Sequence, residues 1–259
     1  MTMMWKLNGS RMMTSPIINL PLITPNWPAV VPVQAYTTTR EGGISLAPYN
    51  AFNLAYHVQD DPQAVAQNRQ LLSQVMGQNS IVWLDQRHTS DCVYVDQLPD
   101  QPLVADALWT DQPGLALAVM SADCLPILLT NGERVCAIHA GWRGLLDGII
   151  ENTLAQCVSR PAQWQVWIGP AISAAFFEVG AEVRQAFISK FPTFACYFQP
   201  QGDKWLANLA GMAEQILRLQ GIANVAQSGL CSYADSKRFY SYRRDGQTGR
   251  MASLIWRLD

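Results

Sequence analysis

Two stretches of the chain are almost entirely apolar, and they predict the centre of a β-sheet. "LALAVMSA" runs from Leu115 to Ala122, and "VCAIHAG" runs from Val135 to Gly141. Unbroken apolar runs of this length are typical of strands that are covered on both faces. Shorter stretches rich in β-branched and aromatic residues predict further strands: "VQAYTTTREGG" (33–43), "SIVWLDQ" (80–86), "DCVYVDQ" (91–97) and "WQVWIGPAI" (164–172).

Other stretches have the spacing of amphipathic helices. "DPQAVAQNRQLLSQVMG" predicts a helix with Asp61 as N-cap and Gly77 at its end. Helices are also predicted over 144–158 and 181–191, and over 203–221 with Asp203 and Gly221 as caps. The C-terminal "FYSYRRDGQTGRMASLIW" (239–256) predicts a hairpin around an Asp-Gly turn.

Strands and helices are interleaved without strict alternation. This order favours an α/β (α+β) fold, with mixed β-sheet layers flanked by helices, over a regular Rossmann or barrel fold. The chain has 259 residues and is 49% hydrophobic, which is enough for a substantial core. We predict one catalytic domain over residues 17–259, preceded by a loosely ordered leader over residues 1–16.

Composition narrows the class of protein. The net charge of −2 gives no basic excess for nucleic acid. We see no export signal and no apolar run of the ~20 residues that a spanning helix requires. The six cysteines include no CxxC pair and lack the spacing of a disulfide framework. We therefore expect a cytoplasmic protein with reduced thiols and a small-molecule substrate, and no nucleic acid, membrane or evident protein partner.

Three residues with metal-binding side chains follow or end predicted strands. His88 follows "SIVWLDQR", Cys124 follows "LALAVMSAD", and His139 ends "VCAIHAG". Strand ends are where sheet proteins place active sites, so these side chains converge if the strands are neighbours. A His-Cys-His set can bind a metal through three protein ligands and leave a fourth position open, as in catalytic zinc sites. The alternatives are a metal-free Cys-His pair with a Cys124 nucleophile, or a buried cysteine beside two hydrogen-bonded histidines.

Two arginines and one irregular stretch add candidate substrate contacts. "HAGWRG" leads from a strand directly into a helix, and its Arg143 has the forked cation that suits phosphate or carboxylate. Arg40 holds a similar strand-end position in "TTTREGG". "YNAFNLAYHVQDD" predicts a substrate-covering loop, with Asn53 and His57 as its polar contacts. A tight turn with a surface arginine, and a structural role for His57, are the alternatives.

Taken together, these motifs resemble the YfiH-type laccase-domain family. The matching pieces are "TTTREGG", "FNLAYHVQDD", "VAQNR", "WLDQRH", "ADALWT", "SADCLPILL", "HAGWRG", "IGPAI", "FEVG" and "YRRDGQTGR", which cover nearly the whole chain. The resemblance implies a fold shared with the catalytic domain of cytotoxic necrotizing factor. It also implies a metal site, normally zinc, at the matching positions His88, Cys124 and His139.

The resemblance further implies an activity. Members are described as zinc-dependent purine nucleoside phosphorylases acting on adenosine, inosine, guanosine and methylthioadenosine, with adenosine deaminase activity. In such an enzyme Arg40 and Arg143 would hold the phosphate. Cys124 would hold the metal, while Asp106 and Asp123 would act as acid or base or support the ligands.

Three other functions stay open at this point. Older descriptions of the family imply a copper-dependent polyphenol oxidase, but three histidines in the whole chain are too few for a multicopper cluster. The same resemblance implies an amidase that removes serine from a peptidoglycan precursor. A non-catalytic metal-binding protein is the last alternative.

Two stretches depart from the family pattern. The family's glutamine-valine-histidine-glycine stretch is replaced by "QRHT", which puts Arg87 and Thr89 beside the histidine. The cysteine pair that often precedes the family's "YEVG" is absent from "SAAFFEVG". The first departure changes the predicted shape and charge of the loop that carries His88.

Overall fold

A computed structural model describes residues 20–28, 32–77 and 80–258. Its first sheet has five strands, mostly antiparallel, and only the edge strand Ile81–Val82 is parallel to its neighbour. The predicted leader, residues 1–16, lies outside the described residues. The strand order is β1 (Leu22–Ile23), β2 (Val33–Thr38), β16 (Met251–Arg257), β8 (Ala116–Ser121) and β3 (Ile81–Val82).

A second, mixed sheet has six strands, and two small sheets accompany it. The six-stranded order is β15 (Asn224–Gln227), β11 (Gln165–Ile168), β9 (Leu125–Thr130), β10 (Val135–Ala140), β7 (Ala107–Thr110) and β5 (Cys92–Tyr94). The small sheets are β12 (Glu178–Val179), β14 (Lys204–Ala207) and β13 (Phe198–Gln201), and β4 (Leu84–Asp85) with β6 (Leu103–Val104).

Six α-helices cover these sheets within the described part of the chain. They are α1 (Pro62–Met76), α2 (Trp142–Asp147), α3 (Ile149–Cys157), α4 (Ala181–Lys190), α5 (Leu209–Leu219) and α6 (Tyr242–Asp245). Over residues 20–28, 32–77 and 80–258, no helix is both long enough and apolar enough to cross a bilayer. The predicted α/β class with mixed sheet layers and flanking helices is confirmed.

The core has three layers of buried side chains that follow the alternation of the strands. Leu117 and Val119 of β8 pack in one cluster with Leu128 and Ala137 of the second sheet. The intervening residues of β8 belong to a different cluster, which includes Leu72 of α1. A third cluster joins the other face of the second sheet to α3 and α5. Both central strands are thus covered on two faces, as their unbroken apolar runs predict.

The first predicted helix is confirmed, but two others differ from prediction. Asp61 caps α1 by accepting from the Gln63 N–H, and Gly77 ends the helix in the left-handed region. The helix predicted over 144–158 is interrupted at Gly148, whose φ of +96° is incompatible with a continuous helix. Its two parts are α2 and α3.

The predicted helix over 203–221 is wrong in its first part. Lys204–Ala207 is a strand that pairs with Phe198–Gln201 across the turn at Gly202. Helix α5 begins only at Leu209, where the Asn208 side chain accepts from the Gly211 N–H. Asp203 resembles an N-cap in sequence, but strand pairing within the small sheet outweighs local helix propensity there.

The predicted C-terminal hairpin is also wrong. The segment before the Asp-Gly pair forms the short helix α6, and Met251–Arg257 pairs with β2 and β8 instead. The strand predicted over 80–86 is two short strands on either side of Trp83, which pair with different neighbours. In both cases the partner strand is distant in sequence, so local turn and strand signals carry no information about it.

The layer between the two large sheets becomes polar at one end. Thr37 and Ser253 are hydrogen bonded there, with their hydroxyl oxygens 2.6 Å apart. His139 projects to the same side of β10 as Ala137, and the turn after β8 carries Cys124 across to β9. This polar end of the two-sheet stack holds the candidate site.

Candidate metal centre

His88, Cys124 and His139 come together at this end of the stack. One ligand atom from each residue lies within 4.8 Å of those of the other two. Cys124 Sγ is 3.8 Å from His88 Nε2, and the two imidazole centroids are 4.9 Å apart at 76°. The convergence that the strand ends predicted is therefore present in the structure.

His88 is held by an irregular loop that is fastened to the first sheet. The side-chain amide of Gln86 donates to the Met120 carbonyl at 2.8 Å and accepts from the Met120 N–H at 2.7 Å. These two bonds imitate the pairing of a neighbouring strand. His88 itself has a φ of +60°, a left-handed conformation that is uncommon for a residue with a side chain. The loop thus turns its imidazole toward Cys124.

Asp106 holds two of the candidate ligands at once. One carboxylate oxygen is 2.8 Å from His139 Nδ1, so Nε2 is the nitrogen left to face a metal. The other oxygen accepts from the Arg87 N–H (3.1 Å), the Thr89 N–H (2.7 Å) and the Thr89 hydroxyl (3.0 Å). Burial alone would raise the pKa of Asp106, but His139 and the N–H groups lower it to about 2. An ionised Asp106 is therefore suited to orienting the ligands, and not to donating a proton.

The departure from the family pattern at Thr89 has a structural role. The family's glycine at this position has no side chain, whereas the Thr89 hydroxyl donates to Asp106. Arg87 points away from the centre and forms an exposed ion pair with Asp85, with 2.6 Å between nitrogen and oxygen. The Arg87 side chain is thus engaged with Asp85, and Thr89 adds one hydrogen bond to the loop that carries His88.

Cys124 lies on the tight turn between β8 and β9. Asp123, the residue before it, has a φ of +97° in the left-handed region. One carboxylate oxygen of Asp123 accepts from the Ser232 hydroxyl and the other from the Arg243 N–H, both at 2.7 Å. Asp123 thus connects the cysteine turn to two C-terminal segments.

The thiol of Cys124 and the ring of His139 shift each other's ionisation. Burial opposes the change, but the charge of His139 and hydrogen bonds from both histidines lower the pKa of Cys124 from 9.0 to about 6. Burial also opposes charge on His139, yet Cys124 and Asp106 raise its pKa from 6.5 to about 9. Without a metal the pair is a thiolate and an imidazolium at neutral pH, and a thiolate is the form that binds metals.

Two glycines of "HAGWRG" allow helix α2 to approach the centre. A Cβ atom on Gly141 would lie 2.8 Å from His88 Cδ2 and 3.2 Å from Cys124 Sγ. A Cβ atom on Gly144 would lie 2.8 Å from the Thr89 carbonyl oxygen. Both positions exclude a side chain, and Gly141 leaves a cradle beside the ligand atoms. Two imidazoles and a thiolate in this cradle fit zinc or copper.

The contacts of the Arg40 side chain are with residues other than the three candidate ligands. Its guanidinium donates to the carbonyls of Asn50 (3.0 Å) and Ser236 (3.1 Å) and stacks on the Tyr240 ring at 4.7 Å. These contacts join the loop after β2 to a C-terminal loop. The phosphate-holding role of Arg40 stays a prediction.

Arg143 and His57 are both on the surface. Arg143 is exposed on α2 and stacks on the Trp142 ring at 4.3 Å. His57 lies in the short 3₁₀ helix Tyr56–Val58 and lines an open cleft. Burial and the nearby charge of Arg250 lower the pKa of His57, so its neutral form is favoured.

Asn53 is fully buried, and its side-chain amide is engaged within the protein. The NH₂ group donates to the Ala55 carbonyl (3.1 Å) and to Asp60 (2.8 Å), while the oxygen accepts from the N–H groups of Ala55 and Arg250. Two donors and two acceptors use the full capacity of an amide. These bonds support a role in holding the predicted covering loop, while substrate contact by Asn53 stays a prediction.

Sequence reasoning missed Arg250, whose charge lies near enough to interact with those of Cys124 and Asp123. The Arg250 N–H bonds to Asn53, and the next residue, Met251, pairs with Ser121 at the end of β8. Burial lowers the pKa of Arg250, and the negative charges of Cys124 and Asp123 offset part of that effect. The predicted hairpin concealed this position, because only the pairing of β16 with β8 brings Arg250 to the same sheet end as Cys124.

Comparison with known proteins is consistent across sequence and structure. Residues 34–258 match the family model described as multi-copper polyphenol oxidoreductase laccase. A purine nucleoside phosphorylase of Pseudomonas aeruginosa is 43% identical, covering 92% of this chain and 98% of that protein. The purine nucleoside phosphorylase YfiH of Escherichia coli is 42% identical, with 91% and 98% covered.

A solved structure extends the likeness to the fold. A Neisseria meningitidis protein superposes with a TM-score of 0.89 and is 41% identical, over 92% of this chain and 99% of that chain. The chain therefore spans nearly the full length of the proteins that it resembles.

Proposed function

Because this chain belongs to the multi-copper polyphenol oxidoreductase laccase family, and its relatives are named purine nucleoside phosphorylases, we propose that it is a metal-dependent purine nucleoside phosphorylase. Its substrates would be inorganic phosphate and adenosine, inosine, guanosine or methylthioadenosine. The observation that carries the proposal is the convergence of His88, Cys124 and His139 beside the side-chain-free cradle at Gly141. All six cysteines are free thiols, in keeping with the predicted cytoplasmic location.

His88, Cys124 and His139 would hold the metal, for which we propose zinc. Zinc bound by three protein ligands keeps one position open and supplies a Lewis acid that polarises substrate oxygen atoms. Cys124 reaches the thiolate form at neutral pH, and Asp106 accepts from His139 Nδ1, so the proton that a metal displaces is the one on Nε2. These two features supply the ionisation and tautomer that metal binding requires.

Phosphorolysis needs an anion to be placed against the sugar. A phosphate oxygen forms a bond to C1′ of the ribose while the bond from C1′ to the purine nitrogen breaks. The purine leaves with the electron pair and takes up a proton. We propose Arg250 for this anion in place of Arg40 or Arg143, because its half-buried cation lies within electrostatic range of Cys124. Its Nη1 donates to the carbonyls of Thr248 and Gly249, both at 2.9 Å, which fixes the guanidinium in position.

The family's description favours one second candidate, a copper-dependent polyphenol oxidase. The same His-Cys-His set would suit a single copper ion. The chain has three histidines in all, so it cannot assemble the imidazole-rich cluster of a multicopper oxidase by itself. Metal analysis and a phenol oxidation assay separate the two candidates, and adenosine deamination stays a prediction that release of inosine would test.

The variant Cys124→Ala tests the proposal. Removing the thiolate should abolish both zinc binding and the phosphate-dependent release of adenine from adenosine, because two ligands remain. Cys196→Ala is the matched control, since Cys196 is an exposed free thiol outside the site. Metal content by mass spectrometry and adenine by chromatography are the measurements. A Cys124→Ala protein that keeps wild-type phosphorolysis would refute the metal mechanism.

A further inference from the structure

An open cleft of about 580 Å³ is lined in part by residues 81–85, which precede the loop that carries His88. This volume is in the range of pockets that bind small molecules. Its walls are largely apolar and aromatic. Of the residues that the sequence predicts to bind substrate, only His57 lines the cleft. The lining residues used in the argument are Tyr56, His57, Arg69, Trp83, Leu98 and Met120.

Two residues connect the cleft wall to the metal centre, although none of the three candidate ligands lines the cleft. Met120 lines the cleft, and its backbone carries both hydrogen bonds that anchor Gln86, two residues before His88. His57 lies at the cleft wall, and the charges of Arg250 and His139 both act on its ring. A molecule in the cleft therefore lies next to the loop that carries a metal ligand and near the cation that interacts with Cys124.

Two of the charged side chains that line the cleft, Arg69 and Asp85, are paired, and the third, Asp100, is an exposed carboxylate. The Arg69 guanidinium is held between two rings, 4.6 Å from the Tyr56 centroid and 3.9 Å from that of Trp83. It also donates to a backbone carbonyl at 2.8 Å. Asp85 forms an ion pair with Arg87. Aromatic walls, an engaged Arg69 cation and the negative charge of Asp100 favour an uncharged, flat ligand over an anion.

We propose that this cleft is the subsite for the nucleobase of the substrate. The inference rests on the proposed function, and it assigns the base and the phosphate to different sides of the centre. Tyr56 and Leu98 are 47% and 49% exposed, which is high for large apolar side chains, and a purine ring would cover part of that surface. With the base in the cleft, the ribose would lie at the metal and the phosphate at Arg250.

The variant Leu98→Asp tests the assignment. A carboxylate in the cleft removes apolar contact and must be desolvated when the base binds. We expect the Kd of adenosine for the zinc-loaded protein to rise at least tenfold, with zinc content and thermal stability unchanged. Val104→Asp is the matched control, because Val104 is 55% exposed and lies on β6 outside the cleft. Titration calorimetry without phosphate measures binding apart from turnover.

Steady-state kinetics give an independent readout. A subsite for binding alone should raise the KM for adenosine at least tenfold in Leu98→Asp and change kcat little. Tyr56→Ala should act in the same direction. If Leu98→Asp binds adenosine as tightly as wild type does, the assignment of the cleft is wrong. If binding weakens as expected but wild type shows no phosphorolysis, the cleft assignment stands and the proposed reaction fails.

Discussion

Replacing Asp106 by asparagine should remove hydrogen bonds that orient the candidate metal ligands. The Asp106 carboxylate accepts hydrogen bonds on both oxygens, from His139 on one side and from the loop of His88 on the other. An amide has the same shape but only one accepting oxygen. If that oxygen keeps the bonds to Arg87 and Thr89, the NH₂ group faces His139 Nδ1. The ring must then carry its proton on Nε2, the nitrogen that would bind the metal.

The size of the effect follows from the bonds that are lost. Loss of a carboxylate that orients a metal-binding histidine weakens metal affinity about 10–100-fold, which corresponds to about 1.4–2.7 kcal/mol. The metal-free protein also loses the charge-assisted bond between Asp106 and His139, worth about 1.5–3 kcal/mol. We therefore expect Asp106→Asn to lower both zinc affinity and the free energy of unfolding, and to lower phosphorolysis with them.

Competition with a chromophoric chelator would measure zinc affinity, and urea unfolding of the metal-free protein would measure stability. Asp147→Asn is a matched control. Asp147 is exposed on α2, so this substitution makes the same chemical change at a surface position. Wild-type zinc affinity in Asp106→Asn would contradict the inference that this carboxylate sets the tautomer of His139.

Two further predictions concern the same centre. Gly141→Ala should weaken zinc binding at least tenfold, because its Cβ would overlap His88 and crowd Cys124, while Gly202→Ala, with nothing within 4 Å, should leave zinc binding unchanged. In the metal-free protein, the rate at which iodoacetamide alkylates Cys124 should be constant above about pH 7. As the pH is lowered, the rate should fall with a midpoint near pH 6, since the thiol has a pKa of about 6. His139→Gln should move that midpoint upward, and an alkylation rate that keeps rising to pH 9 in wild type would contradict the thiolate–imidazolium pair.

The convergence of the three candidate ligands could be predicted from sequence because each follows or ends a predicted strand, and two of them interrupt an apolar pattern. Cys124 follows a run that is covered on both faces, and His139 is the polar residue near the end of another. Asp106 was identified as a candidate, but its bonds to both His139 and the His88 loop were not, because they join segments that are distant in sequence. Gln86 carried no recognisable chemistry, since its function is to pair with the backbone of Met120.

The errors in the fold have a common physical cause. The hairpin expected around the Asp-Gly pair and the helix expected from Asp203 were both inferred from local signals. The strands that decide these regions are Met251–Arg257, which pairs with β2 and β8, and Lys204–Ala207, which pairs with β13. Strand pairing outweighs local propensity in both regions, across the Gly202 turn for Lys204–Ala207 and over a long sequence separation for Met251–Arg257. The position of Arg250 could therefore be obtained only from the structure.

The turn that carries Cys124 is the connection by which the chain passes from the first sheet to the second. His139 belongs to the second sheet, and the loop of His88 is bonded to the first sheet through Met120 and to the start of β7 through Asp106. The ligands thus come from both layers of the stack. Any shear of one layer against the other would change the distances among them, so a metal bound by all three would hold the two layers in register.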